Sequence, residues 1–125
     1  MKHVLIVEDD KRIAKAIGLR LASSGYTTEC AYDAVTAMIL AKKHPPDLAL
    51  IDISLPGGDG FTVTERLRLN ADTSNTPVIY ITASRQPGLR ERARKLGAVD
   101  FLEKPFNAQQ LLQAIDDAEE RQLYA

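Results

Sequence analysis

The sequence predicts an α/β fold, a parallel sheet with helices on both faces, on three observations. Apolar, strand-like runs alternate with helix-periodic stretches five times along the chain, and right-handed β-α-β crossovers place helices on both sheet faces. Leu48-Ala49-Leu50-Ile51 is the unbroken apolar run of a strand covered on both sides. Glu8, Asp9, Asp52, Thr82 and the residues after Leu102 all fall where strand-like runs end. In open α/β sheets that is the ligand-binding end.

The elements follow in order. His3 to Val7 is the first strand, closed by Glu8 and Asp9. Ile13, Ala16, Ile17 and Leu21 recur at helical spacing, Asp10 is the better N-cap candidate than Asp9, and Gly25 offers a left-handed stop. Tyr26 to Ala31 reads as a half-polar edge strand. Asp33 caps a helix carrying Ala37, Met38 and Ala41, which ends before Pro45-Pro46. After the third strand and Asp52, Pro56-Gly57-Gly58-Asp59-Gly60 is a loop, with Gly60 expected to supply backbone freedom before a helix bearing Phe61, Val63 (or Thr64) and Leu67. Val78 to Ile81, ending at Thr82, is the fourth strand. A basic helix then runs to Leu96-Gly97, and Val99 to Leu102 is a short fifth strand. Asn107 with Gln110 three residues later has the capping-box pattern, and Leu111, Leu112, Ile115 and Ala118 form the last apolar stripe.

The 125 residues form one domain's worth of chain, 45% hydrophobic and 26% charged, which is ordinary for a globular core. A net charge of −1 gives no general pull toward nucleic acid or anionic membrane. No apolar run approaches the roughly 20 residues of a membrane helix, and the N-terminus lacks a signal peptide's apolar stretch. Cys30 stands alone, which excludes a disulfide framework and reads as a small hydrophobe in a strand. These features predict a soluble, cytoplasmic domain.

Parallel pairing would gather Glu8, Asp9 and Asp52 into one pocket, where like charges repel and burial raises the cost of ionisation. A hard divalent cation with oxygen ligands, or a lysine such as Lys104, offsets that cost. Each residue alone has an ordinary reading: a solvated acid, a surface lysine, a capping threonine. Their joint placement does not.

Four segments, Val7-Glu8-Asp9-Asp10, Asp52-Ile53-Ser54-Leu55-Pro56-Gly57-Gly58-Asp59-Gly60, Ile81-Thr82-Ala83-Ser84 and Lys104-Pro105-Phe106, occur in this order on five β-α units. In these the chain resembles the receiver domain of two-component response regulators, from about Lys2 to Ala118. The resemblance implies a flavodoxin-like five-stranded sheet of order 2-1-3-4-5 with five helices, and one receiver domain over residues 1–125. It implies a signalling switch rather than a metabolic enzyme, catalysing only its own phosphorylation and dephosphorylation. Asp52 would be the phosphoacceptor, taking its phosphoryl group from a phosphohistidine of a sensor histidine kinase or phosphotransfer protein. Mg²⁺ would be held by Asp9 directly, by Glu8 through water, by Asp52 and by the backbone carbonyl of Ser54. Lys104 and Thr82 would neutralise and hydrogen-bond the phosphoryl group, the Lys104-Pro105 bond would be cis, and Phe101 would match the switch aromatic that moves with Thr82. An ordinary core phenylalanine is the alternative for Phe101. Ser54 and Ser84 would tune the lifetime of the phosphorylated state and Ala83 would leave it accessible, together giving an intermediate lifetime.

Output by analogy uses the surface of the fourth helix, fifth strand and fifth helix. Arg85, Arg90, Arg92, Arg94 and Lys95 lie on the fourth helical segment against only Glu91, and Asp116, Asp117, Glu119 and Glu120 on the fifth. A phosphorylation-dependent twofold homodimer could match these stripes, although charged helix faces are mostly solvated and exposed ion pairs contribute little. Gln109, Gln110 and Gln113 depart from the dimer face of the transcription-factor subfamily, so no direct nucleic-acid contact is expected. Arg121 to Ala125 follow the last helix, compatible with a stand-alone regulator acting on a protein target or with a receiver fused to an output domain. Two rival readings are an aspartyl-phosphate hydrolase, which would carry a second acid where Ser54 stands, and an unphosphorylated binding module. A nucleotide-binding enzyme would need a Gly-rich loop after the first strand, which is absent.

Overall fold

In the computed structural model, residues 2–123 are described; Met1 and the terminal Tyr124 and Ala125 of the predicted tail lie outside them. The elements are β1 (His3–Val7), α1 (Lys11–Ser23), β2 (Thr27–Ala31), α2 (Ala34–Lys43), β3 (Leu48–Asp52), α3 (Gly60–Leu69), β4 (Val78–Thr82), α4 (Leu89–Lys95), β5 (Asp100–Glu103) and α5 (Ala108–Leu123). The five strands form one parallel sheet in the order β2-β1-β3-β4-β5, as expected.

Two cores flank the sheet because strand side chains alternate faces. Leu5, Val7, Ala49, Ile51 and Tyr80 point to the side covered by α2, α3 and α4, where Ala37, Phe61, Leu67 and Ala93 meet them. Val4, Ile6, Leu50, Ile79 and Ile81 point the other way, against Ile17 and Leu21 of α1 and Leu111 and Ile115 of α5. All five residues of β3 and of β4 are buried, which explains why β3 shows no polar alternation.

Short-range chemistry starts most helices. Asp10 accepts from the N–H groups of Arg12 and Ile13, Asp33 from Thr36 and Asp59 from Thr62. Asn107 and Gln110 exchange reciprocal side-chain-to-backbone bonds of 2.8 and 2.9 Å, the capping box read from sequence. Gly25 is left-handed at the end of α1, with φ 91°.

Several details differ from the sequence reading, and one is that α5 continues through Arg121 to Leu123, which were expected to follow it. The stripe of α1 uses Ala14 and leaves Ala16 exposed. The basic helix is short: Gly88 at φ 88° precedes Leu89, so Arg85 lies in the loop after β4 and not on α4. Only Ala93 of α4 is buried, so this helix has little apolar periodicity to read. The fifth strand is also shifted, by one residue, to Asp100–Glu103.

Candidate functional site

The strand order puts β1 between β2 and β3, so the chain reverses direction across the sheet between β1 and β3, the usual crevice of such folds. Val7 pairs with Ile51, and the next residues are Glu8 and Asp52. Glu8, Asp9 and Asp52 offer carboxylate oxygens that all lie within 4.8 Å of one another, with Glu8 and Asp52 buried and Asp9 exposed.

Lys104, just past β5, completes the group. Its backbone N–H donates to the Thr82 carbonyl at 2.8 Å, which anchors the turn against β4. Its ammonium lies 2.7 Å from Asp52 Oδ2 and forms an ion pair with Glu8 Oε1. The Lys104-Pro105 bond is cis, as the motif implied. Asp52 Oδ1 accepts from the Ser54 N–H at 2.9 Å, so the two oxygens of Asp52 have separate partners. Glu8 Oε2 accepts from the Asp10 N–H, and the Glu8 N–H donates to the Ala31 carbonyl.

Burial pushes the Glu8 carboxyl up to about 7; Lys104 and the Asp10 N–H pull it down, and the neighbouring Asp52 raises it. Burial also works against the Lys104 ammonium, but hydrogen bonds and charges from Asp52 and Glu8 outweigh it and raise its pKa. One ammonium among three carboxylates leaves an excess of negative charge. The donors are all hard oxygens, a set that fits a hard divalent cation of the Mg²⁺ class.

Thr82 is buried at the end of β4, and its hydroxyl oxygen accepts from the Ser84 N–H at 3.0 Å. It therefore closes a local turn rather than capping a helix. Ala83 is exposed beside it and Ser84 half-buried, while Ser54 is exposed on the other side of the crevice. Phe101 is buried, and Arg90 covers its ring at 4.7 Å. Arg90 and Arg85 both pair with Glu103. Glu103 and the stacking role of Arg90 had no local sequence signal, because the partners come from different elements.

The arginines are largely engaged within the chain. Besides these pairs, Arg92 stacks on Phe61 at 4.3 Å and Arg94 pairs with Glu91. On α5, Glu119 accepts from Tyr26 at 2.6 Å and Asp117 from Gln113 at 3.0 Å.

Gly60 has a different reason from the one expected. Its φ is not positive. A Cβ built there would sit 2.5 Å from the Asp52 carbonyl oxygen, 2.9 Å from Ile51 Cγ2 and 3.0 Å from Ile53 Cα. Glycine lets the start of α3 lie directly against β3, beneath Asp52.

Among the described residues no helix is long and apolar enough to cross a membrane. Comparison with known proteins agrees with the site. The model of the response regulator receiver domain matches residues 4–116. A DNA-binding dual master transcriptional regulator, RpaA of Synechocystis, is 37% identical over 112 residues, 90% of this chain and 46% of that protein. The transcriptional activator IrlR of Burkholderia pseudomallei is 36% identical over 88% of this chain and 47% of its own. The chain thus spans about half the length of these curated relatives. A putative response regulator from Chloroflexus aurantiacus superposes with a TM-score of 0.86 at 32% identity, covering 93% of this chain and 95% of that one. A CheY-like receiver domain from Methanospirillum hungatei gives 0.91 at 27% identity over 99% and 98%. With sheet order and acidic crevice in agreement, this chain belongs to the response regulator receiver domains, signalling domains of two-component systems.

Proposed function

We propose that the chain is a single receiver domain over residues 1–125 and a phosphorylation-dependent switch that accepts a phosphoryl group on Asp52 from a phosphohistidine donor. The observation that carries this reading is the Asp52 carboxylate held between the Glu8 and Asp9 oxygens and the Lys104 ammonium, at the sheet's reversal point. A carboxylate oxygen of Asp52 forms a bond to phosphorus as the phosphorus–nitrogen bond to the donor imidazole breaks. The imidazole nitrogen leaves with the electron pair. Such transfers are governed by positioning and charge neutralisation.

Glu8, Asp9, Asp52 and the Ser54 carbonyl would hold Mg²⁺, which when bound neutralises charge on the phosphoryl oxygens. Lys104 exchanges its contact with Asp52 Oδ2 for one to the phosphoryl group. Thr82 gives up its bond from Ser84 to donate its hydroxyl there, and Phe101, freed from Arg90, follows. The exposed Ala83 leaves room for a bulky donor, and Ser54 and Ser84 provide no carboxylate or amide to orient water, supporting an intermediate lifetime. Signals then leave through α4, β5 and α5, toward a protein target, a fused output domain or a second copy.

The test is intact-mass measurement after incubation with Mg²⁺ and acetyl phosphate or phosphoramidate. One phosphate should add to the wild type and none to Asp52→Asn. A wild type that stays unmodified with every donor would favour the binding module, and turnover of a phosphate ester without an adduct would favour the hydrolase.

A further inference from the structure

The chain has two histidines, and both reach one carboxylate oxygen. His3 opens β1, His44 is the C-cap of α2, and Glu29 stands in the edge strand β2. His3 Nε2 lies 3.0 Å from Glu29 Oε1, and His44 Nδ1 lies 3.2 Å from the same atom. Phosphoryl transfer does not use this cluster. His3 is the first residue of β1, roughly 16 Å along the strand from Glu8 at its far end, and Glu29 is level with Leu5 in mid-strand.

The contacts of His3 hold its ring against Glu29. The Thr27 hydroxyl lies 3.0 Å from His3 Nδ1 and 3.4 Å from the Lys2 carbonyl. In the tautomer protonated on Nδ1, the Nε2 lone pair faces the Glu29 carboxylate, the arrangement in which both groups can ligate one metal ion. The Thr27 contact is also the outer-shell hydrogen bond that orients a metal-binding imidazole. The field is mixed: Asp47 Oδ2 accepts from the His3 N–H at 2.7 Å and the C-terminus of α2 adds its negative dipole end, while Lys42 and Lys43 in its last turn oppose them.

We propose that His3, Glu29 and His44 bind a divalent transition-metal ion of the zinc class. The ligands are His3 Nε2, a ring nitrogen of His44 and the Glu29 carboxylate, with water in the remaining position. The three groups are not yet converged, since among the described residues the one set of three whose ligand atoms all lie within 4.8 Å of one another is Glu8, Asp9 and Asp52. The His44 side chain is 56% exposed at a helix end, against 21% for His3, so His44 is the ring that swings inward. The bound ion ties the C-terminus of α2 to β1 and β2.

The experiment titrates zinc chloride into the protein in excess Mg²⁺, which competes for the acidic crevice, with calorimetry and histidine-ring NMR as readouts. One equivalent of zinc should bind and move the ring signals of both histidines, and Mg²⁺ alone should move neither. His44→Ala and Glu29→Gln should each weaken binding by about tenfold or more. His44 is exposed, so its variant folds; circular dichroism checks both. Ring signals unmoved up to millimolar zinc, the same shifts with Mg²⁺ alone, or affinities in both variants within about threefold of wild type would overturn the proposal.

Discussion

Gly60→Ala places a single methyl group between α3 and the strand that carries Asp52. The new Cβ would stand 2.5 Å from the Asp52 carbonyl oxygen, where ordinary contact begins near 3.4 Å, so the backbones must part by about 0.9 Å. Two of the three atoms met are backbone, and no side-chain rotation relieves them. The Gly60 N–H also donates to the Ile53 carbonyl at 2.8 Å, a bond that the displacement stretches. Overpacking of this kind costs about 1–3 kcal/mol, toward the upper end where backbone must move. Gly60 is the first residue of α3, so alanine's better helix propensity returns less than the about 0.5–1 kcal/mol of a mid-helix site. A net loss of about 2 kcal/mol corresponds to a melting temperature lowered by about 8 °C for a domain of this size. Thermal and urea unfolding measure it, with the proposed phosphorylation of Asp52 by acetyl phosphate as the second readout. The rate should fall, because the displaced atoms belong to the residue proposed to react. A variant as stable as wild type, phosphorylated at the same rate, would refute the reasoning.

Other outcomes test the packing and the caps. Thr64 donates to the Gly60 carbonyl at 3.0 Å and accepts from the buried Tyr80 hydroxyl; Thr64→Val should cost about 1–3 kcal/mol in urea unfolding, and less than the sum of the single changes when combined with Tyr80→Phe. Asn107→Ala removes one half of the capping box and should cost about 1 kcal/mol, read by the same assay. Burial, then the hydrogen bond and charge of Glu119, raise the Tyr26 phenol above its ordinary range. A raised folded-state pKa contributes stability that is complete below the unfolded value near pH 10 and lost as pH rises through the folded one. Stability measured above about pH 10 should therefore fall less steeply in Tyr26→Phe.

Much of the fold is written locally. The unbroken run of β3 reflects a strand enclosed by both cores, and the caps Asp10, Asp33 and Asn107 act within three residues of themselves. Such signals depend on neighbours along the chain and can be read without knowing the fold. α4 is the weak point, because one buried alanine gives no stripe and Gly88 starts the helix late. Gly60 shows a second limit: its identity answers to backbone across the sheet-helix contact, and a sequence does not display that distance.

For the site, residue order alone places the ingredients at strand ends: Glu8, Asp9, Asp52, Thr82 and Lys104 all follow apolar runs. The couplings come from the packing. Strand order makes β1 and β3 neighbours, so their terminal acids share a crevice and one ammonium. The same packing lays Arg90 over Phe101, brings Glu103 to two arginines and draws His3 and His44 to Glu29. Charge and hydrogen bonding act over a few ångströms of space, however far apart the residues stand in the chain.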